Sequence, residues 1–199
     1  MRSREEDLVE LVDEHGTPCG KATVAHAHTA PGIRHRAFSV HLLDSSGRLL
    51  LQQRAAVKTR FALRWANATC GHPGPGEDLV TAASRRLAEE IGVRGVTLTE
   101  IGVYAYRAVD PSTDRVEDEY DHVLLGIVGP GSEPPRPDPA EVAALRWVAP
   151  ADLLAALDER PDDFAPGWPG SPRWPSPRSA RCPEPQSAPH FATGVTVAP

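Results

Sequence analysis

A thiol, an imidazole and a pair of carboxylates are the side chains of this sequence best suited to acid–base chemistry. Cys70 and His72 lie two residues apart, immediately before a segment with helical periodicity. Glu117 and Glu119 are also two residues apart, in a segment typical of a strand, so both side chains should point to the same face. A thiol on one wall of a cavity and a carboxylate on another could add one proton to a bound molecule and remove a second.

Three histidines could add a metal ion to this chemistry. His28 and His35 precede or begin an apolar strand, and His72 follows the cysteine. Imidazoles together with the carboxylates of Glu117 and Glu119 form a ligand set for Mn²⁺, Mg²⁺ or Zn²⁺. Taken one at a time, the histidines could equally be surface residues and the two glutamates an exposed strand face. The sequence predicts a metal site only if these segments converge.

The segment 77–93 is predicted to form one amphipathic helix of about four turns, with Gly92 as its C-terminal stop. Its apolar residues recur at helical spacing, namely Leu79, Ala82, Ala83, Leu87 and Ile91. Arg86, Glu89 and Glu90 are three and four residues apart and share another face. An arginine beside carboxylates can bind a diphosphate together with its cation. The alternative is a solvated charged face, the usual meaning of such a run.

These groups must be held by a sheet, and the sequence contains strands for one. Alternating or apolar runs bounded by turn residues predict strands near residues 7–13, 35–44, 48–54, 96–108, 116–128 and 141–148. A short turn with Gly47 separates the second and third of these, which favours a hairpin. A second helix is predicted over residues 149–160. This mixed order indicates an α+β fold, a mixed sheet flanked by helices.

The length of 199 residues favours one domain, which we assign to residues 1–164. From residue 165 onward, proline recurs too often for a helix or a strand ladder, and no apolar period remains. We therefore expect residues 165–199 to form a Pro-rich and mostly disordered tail.

Charge and hydropathy narrow the possible partners. The net charge is −6 and the basic residues are scattered, which argues against binding to nucleic acid. No apolar run approaches the ~20 residues of a membrane span, and the first residues are acidic where a secretory leader needs a basic start. We expect a cytoplasmic protein with a small-molecule partner and no membrane partner.

The helix and the motifs around it resemble a known family. From Gly71 onward, the spacing G-x5-E-x7-R-R-L-x-E-E-x-G-V resembles the Nudix box, with Arg86 in place of one paired glutamate. The stretches HRAFS, LLLQQR, CGHP, YRAVDPS and VEDEY then resemble the type I isopentenyl-diphosphate Δ-isomerases over residues 7–165. The resemblance implies a Nudix-type α/β/α sandwich that interconverts isopentenyl and dimethylallyl diphosphate. It implies a small allylic or homoallylic diphosphate as partner, and a monomer or weak homodimer.

The resemblance also implies roles for individual residues. Cys70 and Glu119 match the catalytic pair, with Tyr106 beside the carboxylate. One protein-bound divalent metal, Mn²⁺ or Mg²⁺ with Zn²⁺ as a third candidate, is matched to His28, His35, His72, Glu117 and Glu119. The Mg²⁺ that arrives with the substrate diphosphate is matched to Glu90 and the main-chain carbonyl of Cys70, and the basic residues around the diphosphate to Arg54, Lys58 and Arg86.

Two other functions remain open from the sequence. A Nudix hydrolase of a nucleoside diphosphate derivative would use Glu89 and Glu90, but it would leave Cys70 without a role. A catalytically impaired, diphosphate-binding homologue is the second alternative, because the tail lacks the helix that carries a cation-facing tryptophan in the family. Trp168 is the candidate replacement for that tryptophan.

Overall fold

The computed structural model describes residues 4–168, which form a nine-stranded mixed sheet with helices on both faces. The strands are β1 (Leu8–Val12), β2 (Pro18–Thr23), β3 (His35–Leu43), β4 (Leu49–Arg54), β5 (Trp65–Ala66), β6 (Thr69–Gly71), β7 (Leu98–Val109), β8 (Val116–Ile127) and β9 (Val142–Val148). The helices are α1 (Val24–Ala27), α2 (Leu79–Ile91) and α3 (Pro150–Glu159), with 3₁₀ turns at Arg4–Glu6 and Pro161–Asp163. No helix among residues 4–168 is both long and apolar enough to span a bilayer.

β3 is the central strand of the sheet. β8 runs parallel to it along its whole length, and its other edge is shared by β1, β6 and β4. Most residues of β3 are buried, including consecutive ones that point to opposite faces. A strand covered on both faces reads in sequence as a nearly continuous apolar run, as residues 37–43 do.

The predicted hairpin between residues 35–44 and 48–54 is reduced to a single pair at its turn. β3 and β4 pair only at Leu43 and Leu49. β6 occupies the edge of β3 that a hairpin partner would use, pairing with Phe38–Val40. β4 pairs instead with β9 from Leu49 to Arg54 and with β5 near its end.

The structure confirms the helix predicted over the charged motif. Asp78 caps the first turn of α2 by accepting from the N–H of Thr81 over 2.8 Å, and Gly92 follows the last turn at φ 69°. Its apolar side packs into one core cluster with Phe38, Val40, Leu42 and Leu50. Arg86 and Glu90 are buried as well, whereas Arg85 and Glu89 are exposed, so the charged run is solvated only in part.

A second core cluster lies on the other face of the sheet, under α3. Consecutive residues of β4 point to opposite faces, so that Leu50 packs with α2 and Leu51 with α3. Leu51 is joined in this cluster by Leu153, Phe164 and Trp168. Two helical layers enclosing one mixed sheet confirm the predicted α/β/α sandwich. Ala165 and Trp168 are buried beyond the boundary expected at residue 164, and the rest of the predicted tail lies outside the described residues.

Candidate active site

Cys70 and Glu119 flank β3 from opposite edges and share one face of the sheet. Cys70 in β6 is the register partner of Ser39, whereas Glu119 in β8 is the partner of His35 on the other edge. Cross-strand partners point to the same face, and Ser39 and His35 are an even number of residues apart. The strands β6 and β8 are two strand spacings apart, about 10 Å. β3 therefore forms the floor between the two predicted catalytic residues.

Three histidines converge on one oxygen of Glu119. Its Oε1 lies 3.2 Å from Nε2 of His72, 3.7 Å from Nε2 of His35 and 3.8 Å from Nε2 of His28. One ligand atom from each of these four residues lies within 4.8 Å of the others. Two ligand atoms bound to one divalent ion at ~2.1 Å lie at most about 4.2 Å apart. Small side-chain shifts would therefore bring these four atoms onto a single ion.

Backbone carbonyls fix the rings of two of these histidines. Nδ1 of His28 lies 2.8 Å from the carbonyl oxygen of Val24, and Nδ1 of His35 lies 2.7 Å from that of Ile33. A carbonyl only accepts, so Nδ1 carries the hydrogen in both rings. Each Nε2 is buried and has no hydrogen-bond partner within the described part of the chain. A free Nε2 lone pair, aimed by a contact at Nδ1, is the arrangement of a metal-binding histidine.

The electrostatics of the cluster also suit a cation. Burial lowers the pKa of His72 to about 3, so the ring is neutral at physiological pH. Burial opposes the charge of Glu119, but contacts with the three histidines outweigh it and hold the pKa of this carboxyl well below its usual range. Neutral imidazoles around an ionised carboxylate are the protonation states in which these groups bind a metal.

Tyr106 of β7 contacts both glutamates of β8. Its hydroxyl lies 2.8 Å from Oε2 of Glu119 and 3.0 Å from Oε2 of Glu117. Burial, with the charge of Glu119, raises the pKa of Glu117 to about 7. The two glutamates share one side of the strand, as their spacing predicts. Glu117 nevertheless lies beside the phenol and outside the group of four that could hold a metal.

The thiol of Cys70 lies beside Arg54 and holds its proton. Nη1 of Arg54 is 3.8 Å from Sγ of Cys70. Burial raises the pKa of this thiol to about 12, a shift that Arg54 opposes and that nearby carboxylates reinforce. At neutral pH the thiol is thus protonated, whereas Glu119 is ionised. Cys70 is therefore a proton donor and Glu119 a proton acceptor on the same face of the sheet.

Two of the predicted diphosphate-binding cations, Lys58 and Arg86, form a connected cluster with carboxylates. Arg86 pairs with Glu90 and, at 3.0 Å, with Glu89, both on α2. Lys58 pairs with Glu141, which also lies 3.8 Å from Arg86. The structure therefore brings Lys58 and Arg86 together around one shared carboxylate, that of Glu141.

Some residues of the site are not singled out by the sequence. Glu141 lies in the loop before β9, and nothing local indicates its pairing with Lys58. Asp121 accepts a hydrogen bond from Ser39 over 2.7 Å, on the same face as Cys70. The alternation of Glu117, Glu119 and Asp121 along β8 is the signal that could have found it, because residues at this spacing share a face.

Trp168 covers the same face of the sheet. Its ring packs against His41 with the centroids 5.6 Å apart, and against Phe164 at 6.3 Å. His41 is two residues from Ser39 on β3 and so points to the same side. Trp168 is therefore packed over the floor strand of the site, within the apolar cluster under α3.

Comparison with known proteins places this geometry in a family. Residues 33–167 match the family model described as NUDIX domain. A protein of Nocardia farcinica named isopentenyl-diphosphate Delta-isomerase is 59% identical over 158 residues, which are 79% of this chain and 88% of that protein. The chain belongs to the Nudix family, among its isopentenyl-diphosphate Δ-isomerases. A Streptomyces coelicolor protein of the same name is 49% identical over 146 residues, 73% of each chain.

The solved structures agree on the architecture. A crystal structure of a Deinococcus radiodurans protein superposes with a TM-score of 0.62 at 21% identity, over 77% of this chain and 90% of that one. At this identity the likeness concerns the fold alone. It supports the α/β/α arrangement within which the isomerase-family motifs and the candidate divalent metal site are placed.

Proposed function

We propose that the protein interconverts isopentenyl diphosphate and dimethylallyl diphosphate, with Cys70 and Glu119 as the two proton-transfer groups. The observation that carries the proposal is the placement of a protonated thiol and an ionised carboxylate on one face, at opposite edges of β3. The relatives named isopentenyl-diphosphate Delta-isomerase support the choice of substrate.

The reaction needs one donor and one acceptor. A proton added to the terminal methylene carbon of isopentenyl diphosphate leaves positive charge on the adjacent tertiary carbon. Loss of a proton from the neighbouring methylene then forms the internal double bond, so one proton enters, one leaves and the composition is unchanged. In this direction the thiol of Cys70 gives a proton and Glu119 accepts one, and the reverse reaction exchanges the roles.

Water must be kept from the tertiary cation, because it would trap the cation as an alcohol. Cys70 is only partly exposed, and Tyr106 and Trp168 are buried on the same side of the sheet. We propose that these residues shield the hydrocarbon end of the substrate. The chain from Phe164 to Trp168 contributes to this cover, because Ala165 packs with Tyr106 in one buried cluster.

We propose that His28, His35, His72 and Glu119 hold the resident divalent metal. A cation bound there would supply a fixed positive charge beside the carboxylate that moves the proton. Three imidazoles and one carboxylate suit Mn²⁺ or Zn²⁺ better than Mg²⁺, which prefers ligands that are all oxygen. Glu117, assigned to the same metal by resemblance, is proposed to hold Tyr106 instead.

We propose that the diphosphate is bound by Arg54, Lys58 and Arg86. These residues supply charge and directional donors for phosphate oxygens. Glu90, with the main-chain carbonyl of Cys70, is proposed to bind the Mg²⁺ that arrives with the substrate. Its side chain is buried and accepts from Thr69 over 2.6 Å, which supports a fixed position.

The test is product formation in D₂O. The protein is incubated with isopentenyl diphosphate, Mg²⁺ and Mn²⁺, and NMR follows deuterium in the allylic product. We expect deuterated dimethylallyl diphosphate from the natural chain and none from Cys70→Ser or Glu119→Gln. Unchanged turnover in both variants would refute the assignment of the pair.

The same samples separate the alternative functions. In a hydrolase, Glu89 and Glu90 would have to activate water, yet both are paired with Arg86. Release of phosphate or nucleoside monophosphate from nucleoside diphosphate derivatives, without isomerisation, would support that function. Binding of magnesium pyrophosphate without either reaction would support an impaired homologue.

A further inference from the structure

The peptide group between Arg60 and Phe61 lies in the loop that joins β4 to β5. It connects Arg54 to the buried carboxylate of Asp110 on the other side of this loop. The carbonyl of Arg60 accepts from Nε of Arg54 over 3.1 Å and from Nη2 over 2.9 Å. The N–H of Phe61 donates to Oδ2 of Asp110 over 2.7 Å. One peptide group is therefore held at both ends, by Arg54 on one side and by Asp110 on the other.

The loop that carries this peptide is not held by its own backbone preferences. Phe61 has φ +47° and Leu63 has φ +60°, left-handed values that residues other than glycine adopt rarely. Persistence of such a conformation requires contacts from outside the loop. Asp110 supplies one such contact, and the ring of Phe61, buried against Tyr106 and Ala108, supplies another.

Asp110 is fixed before it meets the loop. It is 1% exposed, and its Oδ1 accepts from both the N–H and the hydroxyl of Ser112, at 2.9 and 2.7 Å. Oδ2 accepts from the hydroxyl of Thr113 at 3.0 Å and from Phe61. These hydrogen bonds anchor the carboxylate in the turn between β7 and β8, so Asp110 is a rigid point to which the loop is attached.

Fixing the Arg60 carbonyl orients the guanidinium of Arg54. Two of its donors point back to the loop, and the planar geometry then directs Nη1 towards Cys70, 3.8 Å away. Arg54 is buried, so its donors depend on fixed acceptors for their direction. If the peptide turned, Arg54 would lose both of its loop contacts at once.

We propose that Asp110 is a positioning residue that orients Arg54 for the diphosphate through the Arg60–Phe61 peptide. The inference rests on the proposed function of Arg54 and deepens it. Asp110 itself lies on the other side of that peptide from Arg54. Its effect is on substrate binding, transmitted by one peptide group.

An asparagine at this position is the sharpest probe. Each carboxylate oxygen of Asp110 faces a backbone N–H, of Ser112 on one side and of Phe61 on the other. An amide of the same shape must point its NH₂ at one of them, because only one of its two ends accepts. Asp110→Asn thus removes an acceptor with almost no change in volume.

The experiment is a double-mutant cycle on binding of magnesium pyrophosphate by calorimetry. We expect Asp110→Asn to weaken binding about tenfold, the size of one lost hydrogen bond, and to have no further effect in an Arg54→Ala background. With isopentenyl diphosphate, the loss is expected in KM more than in kcat. Effects that multiply, or unchanged binding in both Asp110→Asn and Asp110→Glu, would overturn the inference.

Two further variants make the result decisive. Ser112→Ala removes a contact of Oδ1 and leaves the Phe61 contact in place, so it should bind pyrophosphate as the natural chain does. Asp110→Glu keeps the carboxylate but displaces it, and it should repeat the coupling with Arg54 if Asp110→Asn does not fold. Asp110 would be shown only to build the turn if Asp110→Asn and Asp110→Glu both fail to fold. The same conclusion would follow if Ser112→Ala weakens binding as much as Asp110→Asn does.

The binding measurement also separates this inference from the proposed function. Coupling between Asp110 and Arg54 in a protein that does not isomerise its substrate would refute the isomerase and leave the positioning role intact. Isomerisation without this coupling would support the isomerase and refute the positioning role of Asp110.

Discussion

The two carboxylate oxygens of Glu119 face different partners. The three histidines surround Oε1, and the hydroxyl of Tyr106 donates to Oε2. Oε2 accepts from the Tyr106 hydroxyl at 2.8 Å, while Oε1 lies 3.2 to 3.8 Å from the three imidazoles. The same hydroxyl is 3.0 Å from Glu117, yet it has only one hydrogen to give. Burial and the charge of Glu119 raise the pKa of Glu117 to about 7, so at neutral or lower pH Glu117 can donate to Tyr106 while Tyr106 donates to Glu119.

Replacing Tyr106 by phenylalanine should slow the reaction without emptying the metal site. The variant removes the donor to Oε2 and leaves the three histidines and Oε1 unchanged. A hydrogen bond to a charged group is worth enough for a loss of about 10- to 100-fold in kcat. Steady-state kinetics with isopentenyl diphosphate and metal analysis of the same sample measure both effects. Loss of metal together with activity would contradict this division of the two oxygens.

Removal of the proposed divalent metal should lower thermal stability. The Nε2 atoms of His28 and His35 are buried without partners in the described chain, so a bound cation would stabilise the folded state alone. At 100-fold excess over its Kd, a metal that binds only the folded state stabilises it by about 2.7 kcal/mol. Thermal unfolding after chelation, and again after addition of Mn²⁺, Zn²⁺ or Mg²⁺, measures this.

The matched variant for that experiment is His72→Ala. It removes one of the four ligand residues and should abolish most of the difference between chelated and metal-loaded protein. His15 is an exposed histidine outside the group of four, so His15→Ala should leave the difference unchanged. A metal-dependent stabilisation that survives in His72→Ala would place the ion elsewhere.

Local patterns made much of the site predictable. The helical spacing of Arg86, Glu89 and Glu90 and the alternation of Glu117 and Glu119 determine which side chains share a face. The family motifs then indicated which of these side chains meet in one site. The arrangement of the nine strands confirms the sandwich, and it confirms the hairpin only at its turn, because β6 pairs with the part of β3 beyond it.

What could not be predicted depends on contacts between distant segments. Asp110 contacts Phe61 across 49 residues, and Lys58 contacts Glu141 across 83, and neither pairing leaves a local trace. The spacing of Glu117 indicates its face but not that Tyr106 would occupy it. α1 has four residues, too few for a periodic pattern, although its Val24 carbonyl fixes the ring of His28.

His41 should make the protein less stable as the pH falls. Burial lowers its pKa from 6.5 to about 4, and its buried Nε2 has no hydrogen-bond partner among residues 4–168. Below pH 6.5 the unfolded chain takes up a proton that the folded chain refuses until about pH 4, so stability falls across this window. The gap corresponds to at most about 3 kcal/mol.

The pH effect is measured as a difference between variants, because burial also lowers the pKa values of His28 and His72. Chemical denaturation at pH 7, 6, 5 and 4 should show a shallower decline for His41→Phe, which keeps a ring against Trp168 but cannot titrate. His15→Ala serves as the exposed control. Parallel curves for His41→Phe and the natural chain would mean that folding does not lower the pKa of His41.

Gly167 should be required for the position of Tyr106. It has φ +89°, and a Cβ built on it would lie 3.2 Å from the Tyr106 hydroxyl oxygen and 3.3 Å from two ring carbons. Gly167→Ala therefore adds both backbone strain and a crowded contact with a buried ring, and it should destabilise the fold by about 1–3 kcal/mol. Because the ring must move and Tyr106 contacts Glu119, kcat should fall roughly tenfold or more.

Gly131→Ala separates the effect of the crowded contact with Tyr106 from the effect of backbone strain. Gly131 has φ +96°, but a Cβ there would meet nothing within 4 Å, so this variant carries the backbone strain without the contact. We expect both variants to lower the melting temperature and only Gly167→Ala to lower kcat. Equal kinetics in the two variants would show that the chain around Gly167 can shift away and that it does not hold the phenol against Glu119.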